Sequence, residues 1–141
     1  MYQKDLIMRM LEILTELIAA IFGLIKKGEF PEASRILDNA YYDYLKQDAA
    51  FFKNIPIEDL TDRLLKEHHF NNAHLETLSG LFYAQAELFK AQGLKIESVT
   101  YYEKSLVLLE FVLQESNVLS FEKQARADTI RKQMDEVRDV I

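Results

Sequence analysis

From Leu6 to Ile25 apolar side chains fall at Leu6, Met10, Ile13, Leu14, Leu17, Ile21, Leu24 and Ile25, the three-and-four spacing that a helix gathers onto one face. A second set, Ile7, Leu11, Ile18 and Phe22, runs along another flank and leaves only a narrow polar strip at Arg9, Glu12, Glu16 and Lys26. Such a helix, expected over Tyr2–Lys27, has to be covered on two sides. Only four Gly and two Pro punctuate the 141 residues, so long helices are rarely interrupted. The β-branched residues lie inside helical patterns and no Asn-Gly or Asp-Gly hairpin turn occurs, which excludes a sheet and predicts an all-α fold.

The remaining elements follow from the same period and its breakers. Gly28 after Lys26-Lys27 suits a left-handed C-terminal cap at the negative end of the helix dipole, and Pro31 suits the first turn of a second helix. That helix is expected from Pro31 to about Lys46, burying Ala33, Ile36, Leu37, Ala40, Tyr41 and Tyr44. Residues Gln47 to Pro56 break the period, and Ile57, Leu60, Leu64 and Leu65 predict a short helix ending near His69. Two long helices are expected over Asn72–Gln92, stopping at Gly93, and Lys95–Glu115. A last one follows Ser120, a favourable N-cap, with Ile130, Met134, Val137 and Ile141 as its inward stripe. Asp128/Lys132, Arg131/Asp135 and Lys132/Glu136 stand at charge-pair spacing along it.

Seventeen basic against 23 acidic side chains give a net charge of −6, which opposes the phosphate attraction behind most nucleic-acid binding, so no nucleic-acid partner is expected. Charges intersperse the N-terminal apolar residues, unlike a signal peptide. The longest uncharged stretch there, Leu17 to Ile25, is nine residues, about half of the roughly 20 a membrane-crossing helix needs. Without cysteine there is no disulfide framework, and a cytoplasmic location is the expectation.

Aligning Gly28 with Gly93 exposes an internal correspondence at an offset of 65 residues. Leu17, Ala20, Ile21 and Leu24 before the first glycine and Ala33, Leu37 and Ala40 after it match Phe82, Gln85, Ala86 and Phe89, then Ser98, Tyr102 and Ser105. Small residues at positions 33, 40, 98 and 105 allow two helices to approach closely, while Leu24, Leu37, Phe89 and Tyr102 fill the space between them. This spacing resembles the tetratricopeptide repeat. The second copy, within which Ala86–Leu106 reads AELFKAQGLKIESVTYYEKSL, is the stronger match; Gln85 stands where the family usually has Leu, and Trp and the closing Pro are missing. The resemblance covers residues 14–47 and 79–112. It implies a single all-α domain over 1–141: two antiparallel helical hairpins, an irregular middle segment at 48–78 and a capping helix at about 120–141. The opening DLIMRMLEIL, with this layout, is also similar to a family of short bacterial tetratricopeptide-like proteins, which implies no activity.

Chemistry is sparse. His68, His69 and His74 lie near Glu67 and Glu76, yet His69 and His74 would point about 140° apart on one helix, there is no Cys or HExxH, and no metal site or cofactor is expected. Carboxylate pairs such as Glu12/Glu16 and Asp59/Asp62 read as solvated helix surface. No GxSxG, Walker A or GxGxxG pattern occurs, so an enzyme is not expected and no catalytic residue is assigned. Tyr41, Tyr42 and Tyr44, with Tyr101 and Tyr102, read as core material, and Phe51 and Phe52 as a plug from an apparent connector.

What remains is a surface. In tetratricopeptide-like proteins the first helix of each pair lines the concave side, and the resemblance carries that role to Ile18, Phe22 and Ile25 in one copy and Tyr83, Glu87 and Lys90 in the other. The Asn/Lys clamp that some members use for a peptide carboxylate is absent, so that specificity is not implied. The apolar first trio predicts a protein-binding adaptor that takes a helix, an extended apolar peptide or a second copy of the chain. Covering by the chain's own helices, and an apolar small-molecule or lipid site, are the alternatives.

Overall fold

The computed structural model describes residues 2–115 and 120–141, with side chains from Arg9 onward except Met10. Among these residues there are seven α-helices, one 3₁₀ turn and no strand: α1 (Tyr2–Lys26), α2 (Phe30–Leu45), α3 (Ala49–Lys53), the 3₁₀ turn (Ile57–Asp59), α4 (Leu60–Lys66), α5 (Asn72–Ala91), α6 (Lys95–Glu115) and α7 (Phe121–Arg138). None of these helices is long and apolar enough to cross a membrane.

Two hairpins carry the architecture, and their bends are built alike. Gly28 and Gly93 adopt φ of 76° and 80°, a left-handed conformation that costs an L side chain about 1 kcal/mol or more. At the first bend the Gly28 amide donates to the Ile25 carbonyl and the Glu29 amide to Leu24. At the second the Gly93 amide donates to Lys90 and the Leu94 amide to Phe89. Both are Schellman turns, in which two carbonyls left over by the ending helix are satisfied within the bend.

The four small residues singled out in the sequence are all buried: Ala33, Ala40, Ser98 and Ser105. In the second hairpin the approach is polar as well as close. Ser79 Oγ donates to the Ser105 carbonyl at 2.8 Å and Ser105 Oγ donates to the Ser79 carbonyl at 2.7 Å. Ser98 Oγ donates to the Ala86 carbonyl at 2.9 Å. Because 79 meets 105 while 86 meets 98, α5 and α6 run antiparallel. Buried hydroxyls without such acceptors would destabilise the interface by about 1–3 kcal/mol each.

Helix α5 is the centre of the molecule, packed against α1, α2 and α6. It is buried on most of its circumference, with Glu76, Thr77, Ser79 and Gln85 enclosed beside the apolar residues. Tyr41 from α2 lies 6.1 Å from the ring of Phe82, and its hydroxyl donates to the buried Gln85 at 3.4 Å. The unusual glutamine of the second copy is thus the acceptor for a buried tyrosine.

Helix α7 lies along α6, with Arg131 meeting Glu110 and Arg138 meeting Glu103, so these two are antiparallel. It also reaches α5, where Lys123 meets Glu76 and Lys90 meets Gln133, an ordering that makes α5 and α7 parallel.

Several expectations need correction. The stretch at 47–56 contains a helix, α3, whose first turn is capped by the Asp48 carboxylate accepting from the Phe51 amide at 2.9 Å. Five residues are too few to display a helical period. Phe52 from this helix is fully buried against Tyr41 and Phe70, and Phe51 is half-buried, so the pair does plug the core. Ile13, assigned to the buried face of α1, is exposed. Ile141 is exposed as well, because α7 ends at Arg138 and the inward stripe stops at Val137. Arg131 pairs with Asp128 and with Glu110 across the helix interface, not with Asp135.

Candidate functional site

Three helix faces turn toward one another on one side of the molecule. Helix α1 supplies Leu11, Leu14, Thr15 and Ile18, spaced three to four residues apart; α5 supplies Glu76, Gly80 and Tyr83 at the same spacing; α7 supplies Arg126. Between them lies a mostly apolar cleft of about 130 Å³. It opens into a wider, more polar vestibule of about 310 Å³ bordered by Glu12, Ser120, Glu122 and Lys123, with Leu11, Thr15, Glu76 and Arg126 common to both.

Gly80 sets the depth of the cleft. In mid-helix glycine is a poor choice, costing about 1 kcal/mol against alanine, and here it permits close passage of α1. A Cβ at this position would stand 3.1 Å from Ile18 Cδ1 and 3.6 Å from Leu14 Cδ2. Ring packing fixes the far end, where Phe22 meets Tyr83 edge-on at 5.6 Å.

At the near end Glu76 is almost fully buried and carries two cations. Lys123 Nζ lies 3.0 Å from one carboxylate oxygen and an Arg126 nitrogen 3.8 Å from the other. Arg126 also stands 4.0 Å from Glu122, one turn back on α7. Neither of these arginine contacts reaches hydrogen-bond length, whereas Lys123 holds Glu76 closely. Both cations keep about a third of their side-chain surface in solvent.

The six residues assigned from the sequence divide between this cleft and its surroundings. Ile18 and Tyr83 line it. Phe22 and Ile25 are half-buried against the core, so the first trio is a packed seam and not an exposed patch. Lys90 donates to Gln133 on α7 at 2.6 Å. Glu87 stands beside two tyrosines. Burial, and then the Glu87 carboxylate, push the Tyr83 phenol up to about 12, and the same causes in the same order push Tyr102 up further. Tyr102 Oη is buried without a hydrogen-bond partner among the described residues, so Glu87 acts on it as a nearby charge and not through an aligned bond.

The sequence places Leu11 and Leu14 on apolar flanks of α1 and Glu76 near the histidines, but assigns none of these, nor Thr15, Gly80 or Arg126, to a binding surface. On α5 no pattern marks Glu76 and Gly80, which stand among other polar residues such as Thr77, Ser79 and Gln85, and Arg126 lies on a third helix and joins them only through tertiary packing.

The histidines are engaged in local structure. His74 Nδ1 accepts from the Asn71 amide at 3.1 Å while Asn71 Oδ1 accepts from the His74 amide at 3.0 Å, a reciprocal cap that starts α5. Burial lowers the His74 pKa. His68 meets Phe51 edge-on at 4.8 Å. No cluster of three or more metal-ligating side chains occurs among the described residues.

No protein-family model, curated protein or solved structure matches the chain.

Proposed function

We propose that the chain is a non-enzymatic, tetratricopeptide-like interaction module that takes a segment of another protein into the cleft between α1, α5 and α7. The cleft itself carries this reading: α1 and α5 turn apolar side chains toward a concavity and α7 adds Arg126, an arrangement suited to gripping a peptide or helix. Two hairpins with like Schellman turns and buried small residues at corresponding positions support the repeat resemblance.

The test is site-specific photo-crosslinking in the native lysate. A benzophenone side chain replaces Thr15, exposed at the mouth of the cleft, or Asn39, exposed on α2. A discrete adduct from position 15 and none from position 39 is expected. Its mass distinguishes a different protein from a second copy of this chain. Absence of an adduct, or equal labelling from both positions, removes the proposal.

A further inference from the structure

We infer that the first turn of α5 is a proton-operated latch on the cleft: neutral His74 holds the turn, and protonation of His74 releases it together with Glu76, so that the cleft keeps its partner at neutral pH and loosens it in acid. The inference rests on the protein-binding reading above.

The bond geometry sets the sign. The Asn71 amide can only donate, so the His74 Nδ1 that receives it at 3.1 Å is the bare ring nitrogen and the ring proton sits on Nε2. A protonated imidazole carries N–H at both nitrogens and has no acceptor left. Protonation therefore breaks this half of the cap, turns one N–H toward another, and adds a positive charge at the positive end of the helix dipole. What remains is Asn71 Oδ1 accepting from the His74 amide at 3.0 Å and the Asn71 carbonyl accepting from the Leu75 amide at 3.1 Å. The chain also enters the turn under strain, because His69 holds a left-handed φ of 57° without being glycine.

Glu76 connects the turn to the cleft. It stands two residues beyond His74, is almost fully buried, and holds Lys123 at 3.0 Å and Arg126 at 3.8 Å, both from α7. Glu76 and Arg126 line the cleft and the vestibule alike. Unwinding the first turn of α5 loosens the backbone that aims Glu76, and with it the hold on α7.

Several titratable and charged groups surround the turn. Glu67, His68 and His69 lie on the α4 side, with His68 4.0 Å from Glu67; Lys123 and Arg126 come from α7, and Glu12 borders the vestibule from α1. None of them offsets burial at His74, which alone lowers its pKa from 6.5, so the fold favours the neutral ring. The contribution of His74 is fully present above pH 6.5 and is lost as pH falls below it, because the unfolded chain takes the proton first.

Amide exchange in the full-length chain, followed at about pH 7.5 and about pH 5 with each rate divided by the intrinsic rate at that pH, tests the latch. Protection of the amides from Asn71 to Leu75 is expected to drop about fivefold at the lower pH, the scale of one helix cap, while that of the bend at Gly93 stays unchanged. His74→Gln keeps an acceptor at the third helical position that does not titrate, and is expected to hold protection at both pH values. His68→Gln and His69→Gln retain the response of the unaltered chain. Crosslinking from position 15 in the same two buffers is expected to weaken about fivefold in acid, and to be insensitive to pH in the His74→Gln variant.

Equal protection at the two pH values, or an undiminished fall in His74→Gln, overturns the latch. Exchange that responds while crosslinking does not overturns its hold on the cleft and leaves the binding reading standing. Absence of an adduct at either pH removes the binding reading and the coupling with it, and the exchange still decides the latch. Should His74→Gln fail to fold, the Asn71 amide shift in the unaltered chain decides: unless it titrates together with the His74 ring, the latch is overturned.

Discussion

Gly80 and Ile18 are matched across the α1–α5 seam: a methyl group on the glycine would stand 3.1 Å from Ile18 Cδ1, closer than an undisturbed contact allows. The obstructing atom is the free end of a flexible side chain beside a cleft, so it has somewhere to go. Gly80→Ala is therefore expected to change stability by less than about 1 kcal/mol, its helix-propensity gain offsetting the displacement of Ile18. The displaced methyl partly fills the cleft, so crosslinking from position 15 weakens at nearly unchanged stability. Urea unfolding beside the crosslinking yield checks both, and a stability loss above about 2 kcal/mol means that the seam does not yield.

The reciprocal serines predict a contrast between deletion and enlargement. Ser105→Ala removes one donor to a carbonyl that remains in its helix, and costs about 1 kcal/mol. Ser105→Val adds bulk at a fully buried contact between α5 and α6 and costs about 2–3 kcal/mol. Equal costs in chemical denaturation would show that packing does not govern this contact.

Phe52 is fully buried between Tyr41 and Phe70 although it comes from a five-residue helix. Phe52→Ala is expected to cost about 3–5 kcal/mol, as in a core helix, whereas Ala50→Ser, on the exposed side of α3, costs under about 0.5 kcal/mol. Similar melting temperatures for the two variants would demote α3 to a surface feature.

Alkaline pH should loosen the molecule through its tyrosines. The Tyr83 phenol is raised from 10.0 to about 12 in the folded chain, so the neutral form is the one the fold favours. Its contribution is fully present below pH 10 and is lost between pH 10 and 12, as the unfolded state ionises first. Tyr41 and Tyr102 are raised in the same sense by burial. Stability measured against pH should fall over that window, and Tyr83→Phe should make the fall shallower; an unchanged slope would exclude Tyr83 as a contributor.

Much of this fold is written locally. The boundaries of α2, α5 and α6 follow from apolar period and from Gly28 and Gly93, because each glycine meets a backbone requirement at its own position. Helix α3 escapes such reading because its signal is one capping aspartate and a buried phenylalanine. The exposure of Ile13 escapes it too: two apolar flanks were visible on α1, but which residues remain uncovered depends on how α2 and α5 approach. The candidate cleft was the least legible part. Ile18 and Tyr83 came from the family resemblance, whereas the Glu76–Arg126 contact spans helices separated by the whole of α6 and has no pattern along the chain.

Because α5 packs against α1 and α2 as well as against its own partner α6, the two hairpins share an interior instead of each owning one. Cutting the chain in the turn between α4 and α5 would leave a raw oily flank on either piece. Halves made separately should aggregate, yet made together they should recombine into a nicked but working whole, as pieces of a single keystone arch do.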